Sequence, residues 1–169
     1  LVRMADQVRD TYERNTQAMR DMYLPARSWC TDERLTTLWN RNQTHEDFLF
    51  HRLGTGTLPF QVEIGIPQER FSLMNDTLAD KPALVQKEYE VLYDVPVCVD
   101  LLQHQLLGMI GGRGRAGALD LVRSLSTQIA ACNCYTDVKL AFIYDGGLWD
   151  EADLSFARWL PHVWSEDHG

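Results

Sequence analysis

A glycine-rich segment follows an apolar run and precedes a helical pattern, which is the order typical of a phosphate-binding loop. Backbone N–H groups of such a loop and of the following helix turn bind phosphate oxygens. Two arginines in the segment would add positive charge toward an anion. The candidate cofactor-binding residues are Gly111, Gly112, Arg113, Gly114, Arg115 and Gly117.

The side chains that nucleotide hydrolysis needs are missing beside this loop. Gly112 and Gly117 have the G-x-x-x-x-G spacing, after which a lysine and a serine or threonine hold the phosphates and the magnesium ion. Ala118 and Leu119 occupy those two places. If the motif is aligned to begin at Gly111 instead, the lysine and the serine or threonine are again missing. No catalytic residue is therefore expected in this segment. Two interpretations stay open, a flexible connection or a nucleotide loop that has lost its catalytic side chains.

A metal site is not expected from the cysteines and histidines. The cysteines are Cys30, Cys98, Cys132 and Cys134, and the last two form C-x-C without a second pair that would complete a zinc site. The five histidines are scattered and none is spaced H-x-x-x-H with another. Free cysteines in a chain with this much apolar sequence indicate a reducing cytoplasm.

Composition excludes several classes of function. The chain has 169 residues, 45% of them hydrophobic, and a net charge of −8, which predicts about one folded domain. The acidic balance argues against a nonspecific nucleic-acid clamp and against docking on an anionic membrane. No apolar run reaches the roughly 18 residues of a membrane span, and the first residues do not read as a signal peptide.

The first 23 residues predict a helix that ends before Pro25. Apolar and small residues repeat every seven positions, with a second set three residues later. The helix either lies on its own domain or forms a short stalk that pairs with a partner. The seam consists of Leu1, Val8, Asn15 and Met22, joined by Met4, Thr11 and Ala18.

Further along the chain the pattern alternates between helical and extended. A second helix is expected over residues 32–42, and a hairpin pairs residues 47–53 with 58–66 through a turn at 54–57. Pro82 is expected to start a short helix.

The second half of the chain predicts a βαβ unit. Extended runs are expected at 95–102, 106–111 and 138–144, with a helix at 117–133 between the last two. Asp145 ends the last run without a second carboxylate beside it. An amphipathic helix follows, with Leu148, Trp149, Leu154, Phe156 and Trp159 on its apolar positions.

Four stretches in order resemble the FtsK/SpoIIIE-type, membrane-anchored ATPases of type VII secretion, the EssC/EccC proteins. The resemblance covers about residues 35–166. The stretches are Leu38-Trp39-Asn40-Arg41 with Asp47 to Pro59; Val95 to Leu101 with Leu107 to Gly111; Leu125 to Ala130 with Asp137 to Leu140; and Trp159-Leu160-Pro161-His162 with Trp164.

The resemblance implies a fold class and a position in a longer protein. The fold would be α/β: an N-terminal stalk helix, an antiparallel hairpin and the start of a degenerate RecA-like P-loop NTPase domain. Residues 1–30 would be the juxtamembrane stalk, and residues 31–169 the truncated N-terminal part of the degenerate domain. His162, after Pro161, would be either a buried hydrogen-bonded histidine or a residue that shapes domain contacts.

The resemblance also implies a function. The segment would be a noncatalytic ATPase-like domain that couples the membrane complex to downstream ATPase modules, at the cytoplasmic face of the cell membrane. The alternative is a nucleotide-binding or weakly active P-loop ATPase domain. No cofactor is expected in the segment, whereas ATP and magnesium would bind elsewhere in the longer protein. Expected partners are other subunits of the secretion complex, the downstream modules, further copies of the longer protein and its secreted substrates, but no nucleic acid.

Overall fold

The computed structural model describes residues 2–60, 81–112, 114–147 and 150–165 of the chain. It is a mixed α/β structure with two compact units. One unit comprises Leu1–Tyr23 and Gly54–Val97, and the other comprises Leu24–Leu53 and Cys98–Gly169. The predicted division of the chain at residue 30 stays a prediction.

The first helix, α1, spans Val2–Met22. Val8 and Thr16 are its buried residues among those described, whereas Asn15 and Met22 of the predicted seam are exposed. Among the described residues, Val8 and Thr11 of the predicted seam are buried or half-buried, so burial follows the seam only in part.

Aromatic rings hold α1 in the first unit. The ring of Tyr12 packs edge-on against Phe60, with centroids 5.4 Å apart, and against Tyr89 at 5.3 Å. Arg20 Nε also donates a hydrogen bond to the carbonyl oxygen of Asp94, at 3.1 Å. These contacts place part of α1 against its own unit, and the pairing of the helix with a partner as a stalk stays a prediction.

A two-stranded sheet pairs β1, Phe50–Pro59, with β2, Val91–Asp100. Backbone hydrogen bonds from Phe60 to Glu90 and from Leu101 to Leu49 close its two ends, as in an antiparallel pair. Between the strands, α2 spans Lys81–Glu88, so the helix expected at Pro82 is confirmed.

The predicted turn at residues 54–57 is wrong, because β1 runs straight through it. Gly56 allows a close approach within the sheet: a Cβ there would lie 2.9 Å from Val97 Cγ2. The partner of β1 is β2, and not the segment that begins at residue 58. Residues 61–66, which were expected in the hairpin, lie outside the described residues.

The helix α3 spans Ala116–Cys132, close to the 117–133 that the sequence predicts. Its buried apolar side chains include Leu125 and Ile129, four residues apart on one face, and Leu119, which lies about 120° around the helix from Leu125. This helix forms much of the core of the second unit.

Residues 106–111 and 138–144 run on either side of α3 in the sequence but do not form the predicted strand ladder. Both segments are irregular, and the sheet of β1 and β2 contains all the strands that the described ranges include. A strand is defined by hydrogen bonds to a neighbour, and the described chain supplies no neighbour to these runs. The predicted RecA-like arrangement is accordingly not confirmed.

Short helices replace the two other helices that the sequence predicts. Asp32–Thr37 is a 3₁₀ turn where a helix was expected over 32–42, and a further 3₁₀ turn at Ala26–Cys30 precedes it. Near the end of the chain, α4 spans only Glu151–Leu154 and is followed by 3₁₀ turns at Ser155–Trp159 and Pro161–Val163. None of the helices in the described ranges has the length and apolar character of a membrane span.

Candidate functional site

The glycine loop lies directly before α3, as the sequence predicts. Gly112 has φ +65, a left-handed conformation that favours glycine. A Cβ at Gly111 would lie only 2.5 Å from the carbonyl oxygen of Gly114, so the turn closes on itself at these two glycines. Arg115 is the residue before the helix and Gly117 belongs to its first turn. Arg113 lies outside the described residues.

The two positions after Gly117 turn inward. Ala118 is half-buried, and Leu119 is 7% exposed. Both line a cavity of about 260 Å³ whose other walls are apolar or aromatic side chains. A lysine or a hydroxyl is absent here, and the environment is one that favours apolar groups. The remaining cavity residues are Met109, Val122, Phe142, Ile143, Tyr144 and Leu154.

Asp145, the acidic residue at the end of the last predicted strand, stabilises a local turn and joins no metal-binding group among the described residues. Asp145 is exposed, and its Oδ1 accepts a hydrogen bond from the backbone of Gly147 at 2.8 Å. No group of three or more metal-ligating side chains exists within the described ranges. Within the described ranges, the loop and the start of α3 therefore carry one arginine, Arg115, and no metal-binding carboxylate cluster.

At the opposite end of α3, a turn that contains Trp39, which has φ 57, lies against the helix terminus. Trp39 donates from its backbone N–H to Ala131 O at 2.8 Å and from its indole Nε1 to Ala130 O at 3.0 Å. Arg41 donates from its backbone to Cys132 O at 2.9 Å. These bonds satisfy carbonyl groups that the last turn of a helix leaves without partners.

The guanidinium group of Arg41 binds the start of β1. Its Nε lies 2.8 Å from Asp47 Oδ2, and its Nη1 donates to Phe50 O at 2.9 Å. The side chains of Arg41 and Asp47 are only 13% and 27% exposed. This partly buried, hydrogen-bonded ion pair holds in place the chain between the residues that bond to the end of α3 and the start of β1.

A side-chain amide joins α3 to β1. The Oε1 of Gln128 accepts from the backbone N–H of Arg52 at 3.0 Å, and its Nε2 donates to Arg52 O at 2.8 Å. Gln128 is 3% exposed. The amide thus makes the pair of hydrogen bonds that a neighbouring strand would make with Arg52.

Three fully buried polar residues meet around the end of α3. His162 is 0% exposed, and its Nε2 lies 2.8 Å from the carbonyl oxygen of Asn133. Asn133 is also 0% exposed, and His51 on β1 is 1% exposed. The interpretation of His162 as a buried histidine with one hydrogen bond is confirmed. Asn133 matches no motif, and His51 lies within the Asp47–Pro59 stretch of the resemblance but was not singled out as a buried residue.

The electrostatics of this cluster keep both imidazoles neutral at pH 7. Burial, and then the charge of Arg41, lower the pKa of His51 to about 4. Asn133 lies beside the His51 ring and opposes this shift, although neither ring nitrogen meets hydrogen-bond geometry with any described group. Burial likewise lowers the pKa of His162.

The thiols of Cys98, which is half-buried, and of Cys132, which is buried, are also uncharged at pH 7. Burial raises the pKa of Cys98 and that of Cys132 to about 11. A thiol with such a pKa is almost entirely protonated at pH 7 and is a poor nucleophile. The four cysteines are free, with no disulfide among them.

The arrangement around α3 therefore holds the fold together and is poor in reactive groups. Trp39, Arg41, Asp47, Gln128 and His162 all belong to the stretches that carry the family resemblance, and each holds a helix end or a strand. Their roles explain the resemblance by packing and hydrogen bonding without requiring chemistry at those positions.

Comparison with known proteins supports this resemblance. No protein-family model matches the chain. The chain is 28% identical over 138 residues to the ESX secretion system protein YukB of Bacillus subtilis (strain 168). It is 28% identical over 126 residues to the ESX secretion system protein EccC of Geobacillus thermodenitrificans (strain NG80-2).

The matches cover most of this chain but little of the relatives. They span 79% and 74% of the chain, and 9% and 8% of YukB and EccC. The chain thus corresponds to less than a tenth of the length of either curated relative. Over the matched residues, the chain is similar to a segment of the EssC/EccC-type proteins of type VII (ESX) secretion.

Proposed function

We propose that this chain is a noncatalytic, ATPase-like segment of a type VII secretion protein. In the longer protein, it couples a membrane complex to ATPase modules that follow it. The similarity to YukB and EccC supports its place in a secretion machine. The loss of catalysis rests on one observation, the inward-facing positions of Ala118 and Leu119 in an apolar cavity.

The physical argument starts from the charge of a nucleotide. Phosphoryl transfer requires cationic groups and a metal ion around the transferred phosphate. An alanine and a buried leucine supply neither at the places where a lysine and a hydroxyl are needed. Backbone amides before α3 and one arginine provide a weaker anion site, so we expect neither hydrolysis nor tight ATP binding by this segment.

Other parts of the proposal concern the longer protein. Its downstream modules bind ATP and magnesium, and it works as an oligomer anchored at the cytoplasmic face of the membrane, with secretion subunits and exported proteins as partners. The segment then acts by transmitting movement or position between the membrane complex and the motor. Nucleic acid is not a partner.

Calorimetric titration tests whether this segment binds a nucleotide. The chain is titrated with ATP and with ADP in the presence of magnesium, and hydrolysis is followed by phosphate release. We expect no saturable heat and no phosphate release above the buffer. Binding in the micromolar range that is lost in Arg115→Ala would overturn the proposal and favour the nucleotide-sensing alternative.

Arg14→Ala is the matched control for that titration. It removes the same charge from the exposed side of α1 in the other unit. Weak binding that Arg14→Ala and Arg115→Ala reduce alike reports nonspecific attraction of the nucleotide to positive charge. Binding that only Arg115→Ala abolishes assigns the site to the glycine loop.

The coupling role is tested in the full-length secretion protein. Trp159 is 81% exposed, and large exposed aromatic side chains are frequent anchors of protein interfaces. We expect Trp159→Ala to reduce export of substrate while ATP hydrolysis by the purified full-length protein is unchanged. Normal export, or an equal loss of hydrolysis, contradicts coupling through this surface. Tyr93→Ala, at a 60% exposed site in the other unit, is the control.

A further inference from the structure

Three polar side chains lie deep in the protein, where the end of α3 meets β1 and the turn at Pro161–Val163. They are His51 on β1, Asn133 directly after α3 and His162 in the turn, and none is more than 1% exposed. All three belong to the same compact unit, and together we call them the polar cluster. Polar atoms buried this deeply almost always have a hydrogen-bond partner, either in the protein or in trapped water.

One hydrogen bond sets the tautomer of His162. Its Nε2 lies 2.8 Å from the carbonyl oxygen of Asn133. Because a carbonyl oxygen only accepts, Nε2 carries the proton, and burial lowers the pKa of the ring so that Nδ1 stays unprotonated at pH 7. Nδ1 is therefore an acceptor, and it is buried without a donor among the described residues.

His51 and Asn133 are neighbours that do not bond to each other. The Asn133 side chain lies beside the His51 ring. Among the described residues, neither ring nitrogen of His51 and neither polar atom of the Asn133 side chain has a hydrogen-bond partner. Two polar groups that lie close together but miss hydrogen-bond geometry form the arrangement that a bridging water completes.

Direct contact among these side chains cannot satisfy the polar cluster. Within the described ranges, its unpartnered atoms are both nitrogens of His51, both polar atoms of the Asn133 side chain and Nδ1 of His162. Even if the Asn133 amide turned one atom toward each histidine, the second nitrogen of His51 would still have no partner. The two nitrogens of an imidazole point in different directions, so a single amide does not bind both. The cluster therefore requires a further small group that both donates and accepts.

The surroundings select a neutral molecule for this role. The charge of Arg41 acts on the His51 ring and disfavours a cation there. The guanidinium group of Arg41 is itself paired with Asp47 at 2.8 Å, so it is not available to neutralise a buried anion. Water carries no charge, donates two hydrogen bonds and accepts two, and internal waters in proteins make about three such bonds to buried polar groups.

We propose that the polar cluster of His51, Asn133 and His162 is a binding site for internal water, and that at least one water molecule bridges Asn133 to His51. The bridge joins β1 to the residue that ends α3, beside the direct ties that Gln128 and Arg41 make. This site depends neither on the proposed secretion role nor on the state of the glycine loop, so the experiments on those proposals leave it untouched.

Water–protein nuclear Overhauser contacts test the site in this chain, labelled with stable isotopes. We expect contacts from long-lived water to the ring protons of His51 and to the side-chain amide of Asn133. The ring of His45, which is exposed, is the internal control and should show only the rapidly exchanging water of a surface. Absence of long-lived water at His51 overturns the proposal. A scalar coupling across a direct hydrogen bond between Asn133 and His51 overturns the bridge equally.

A variant assigns the water to the polar cluster. Relaxation dispersion of the water oxygen nucleus measures how many long-lived waters the protein holds, and His51→Phe replaces the imidazole with a ring that cannot hydrogen-bond. We expect this variant to lose the contribution of at least one long-lived water, whereas His45→Phe at the exposed site loses none. An unchanged dispersion in folded His51→Phe contradicts the proposal. Because the contacts in the unmodified chain decide without any variant, a failure of His51→Phe to fold does not protect the proposal.

Discussion

His51 shows how a single buried side chain makes this protein sensitive to acid. Its imidazole is 1% exposed and its pKa lies at about 4, below the ordinary 6.5, because burial and Arg41 disfavour the charged form. The unfolded chain binds a proton below about pH 6.5, whereas the folded chain does so only near pH 4. The stabilising contribution is complete above pH 6.5 and is lost as the pH falls toward 4.

We expect the free energy of unfolding to fall by about 3 kcal/mol from this group between pH 7 and pH 4. Urea unfolding at several pH values measures it. His51→Leu removes the titrating group, so the variant should lose much less stability over the same range. The lowered pKa of His162 acts in the same direction, so His162 accounts for part of the pH dependence of stability that remains in this variant. Parallel pH profiles for both proteins would refute the assignment to His51.

A second prediction at the scale of residues concerns the contribution of the ion pair between Arg41 and Asp47 to stability. Arg41→Ala leaves a carboxylate that is 27% exposed without its partner and removes the bond to Phe50 O. We expect a loss of about 2–3 kcal/mol in the free energy of unfolding, measured by urea titration. Its control is Arg9→Ala, which breaks the exposed pair with Asp6 and should change stability by less than about 0.5 kcal/mol. Equal effects of the two changes would contradict this ranking.

At the scale of elements, α3 is held differently at its two ends. The C-terminal end is covered by the segment around Trp39 and Arg41 and is tied to β1 by Gln128. The N-terminal end follows the glycine loop, whose shape depends on close backbone contact between Gly111 and Gly114. The first end is sensitive to the loss of hydrogen bonds, and the second to the addition of side-chain atoms.

Gly111→Ala tests the glycine loop. The added Cβ would overlap the backbone oxygen of Gly114, and backbone cannot move aside as a flexible side chain does. We expect a loss of about 1–3 kcal/mol in stability by chemical unfolding. Gly114→Ala is the matched control, since a Cβ there meets nothing within 4 Å, and it should be tolerated. A stable Gly111→Ala protein would show that the turn is not closed in this way.

Gln128→Ala tests the tie between α3 and β1. The change leaves both backbone groups of Arg52 without the amide that binds them, and we expect it to cost about 2 kcal/mol. Hydrogen exchange at the N-terminal half of β1 should also accelerate. Thr127→Ala, at the half-buried neighbouring position of the same helix, is expected to change stability by much less. Similar losses in both variants would point to general packing of α3 instead of the amide.

At the scale of the whole molecule, charge sets what the chain can bind. With a net charge of −8 it repels the phosphate backbone, and its positive side chains are distributed along the sequence without a basic stripe. We expect no retention of duplex DNA in a gel-shift titration, even at about 50 mM salt, where nonspecific binding is strongest. Salt-sensitive binding would contradict the secretion role and favour a DNA-translocating function.

The positions of the glycine loop and of α3 could be predicted from sequence because their signals are local, whereas binding of a nucleotide to the loop stays a prediction. The glycine spacing located the loop, the periodicity located α3 to within one residue at each end, and the absent lysine and hydroxyl were visible at Ala118 and Leu119. The family resemblance was also carried by short stretches, and the comparisons with YukB and EccC confirm it.

The pairing of strands could not be predicted in the same way. The alternation of residues 58–66 and the glycines at 54 and 56 favoured a local hairpin, yet β1 continues through the glycines and pairs with β2. Gly56 is needed there for a close approach to Val97, a distant residue that no local pattern indicates. Likewise, 106–111 and 138–144 have the composition of strands, but a strand also requires a neighbour.

Sequence by itself determined the features that depend on the order of nearby residues: the helix α3, the loop before it, the alanine and leucine at positions 118 and 119, and the resemblance to secretion proteins. Tertiary structure alone decided which distant groups meet. It buried His51 beside Asn133, placed Arg41 against Asp47 at the start of β1, and put Gln128 on Arg52. The reason is that burial and long-range hydrogen bonds depend on the whole fold, whereas helix periodicity and loop spacing are properties of a short stretch of chain.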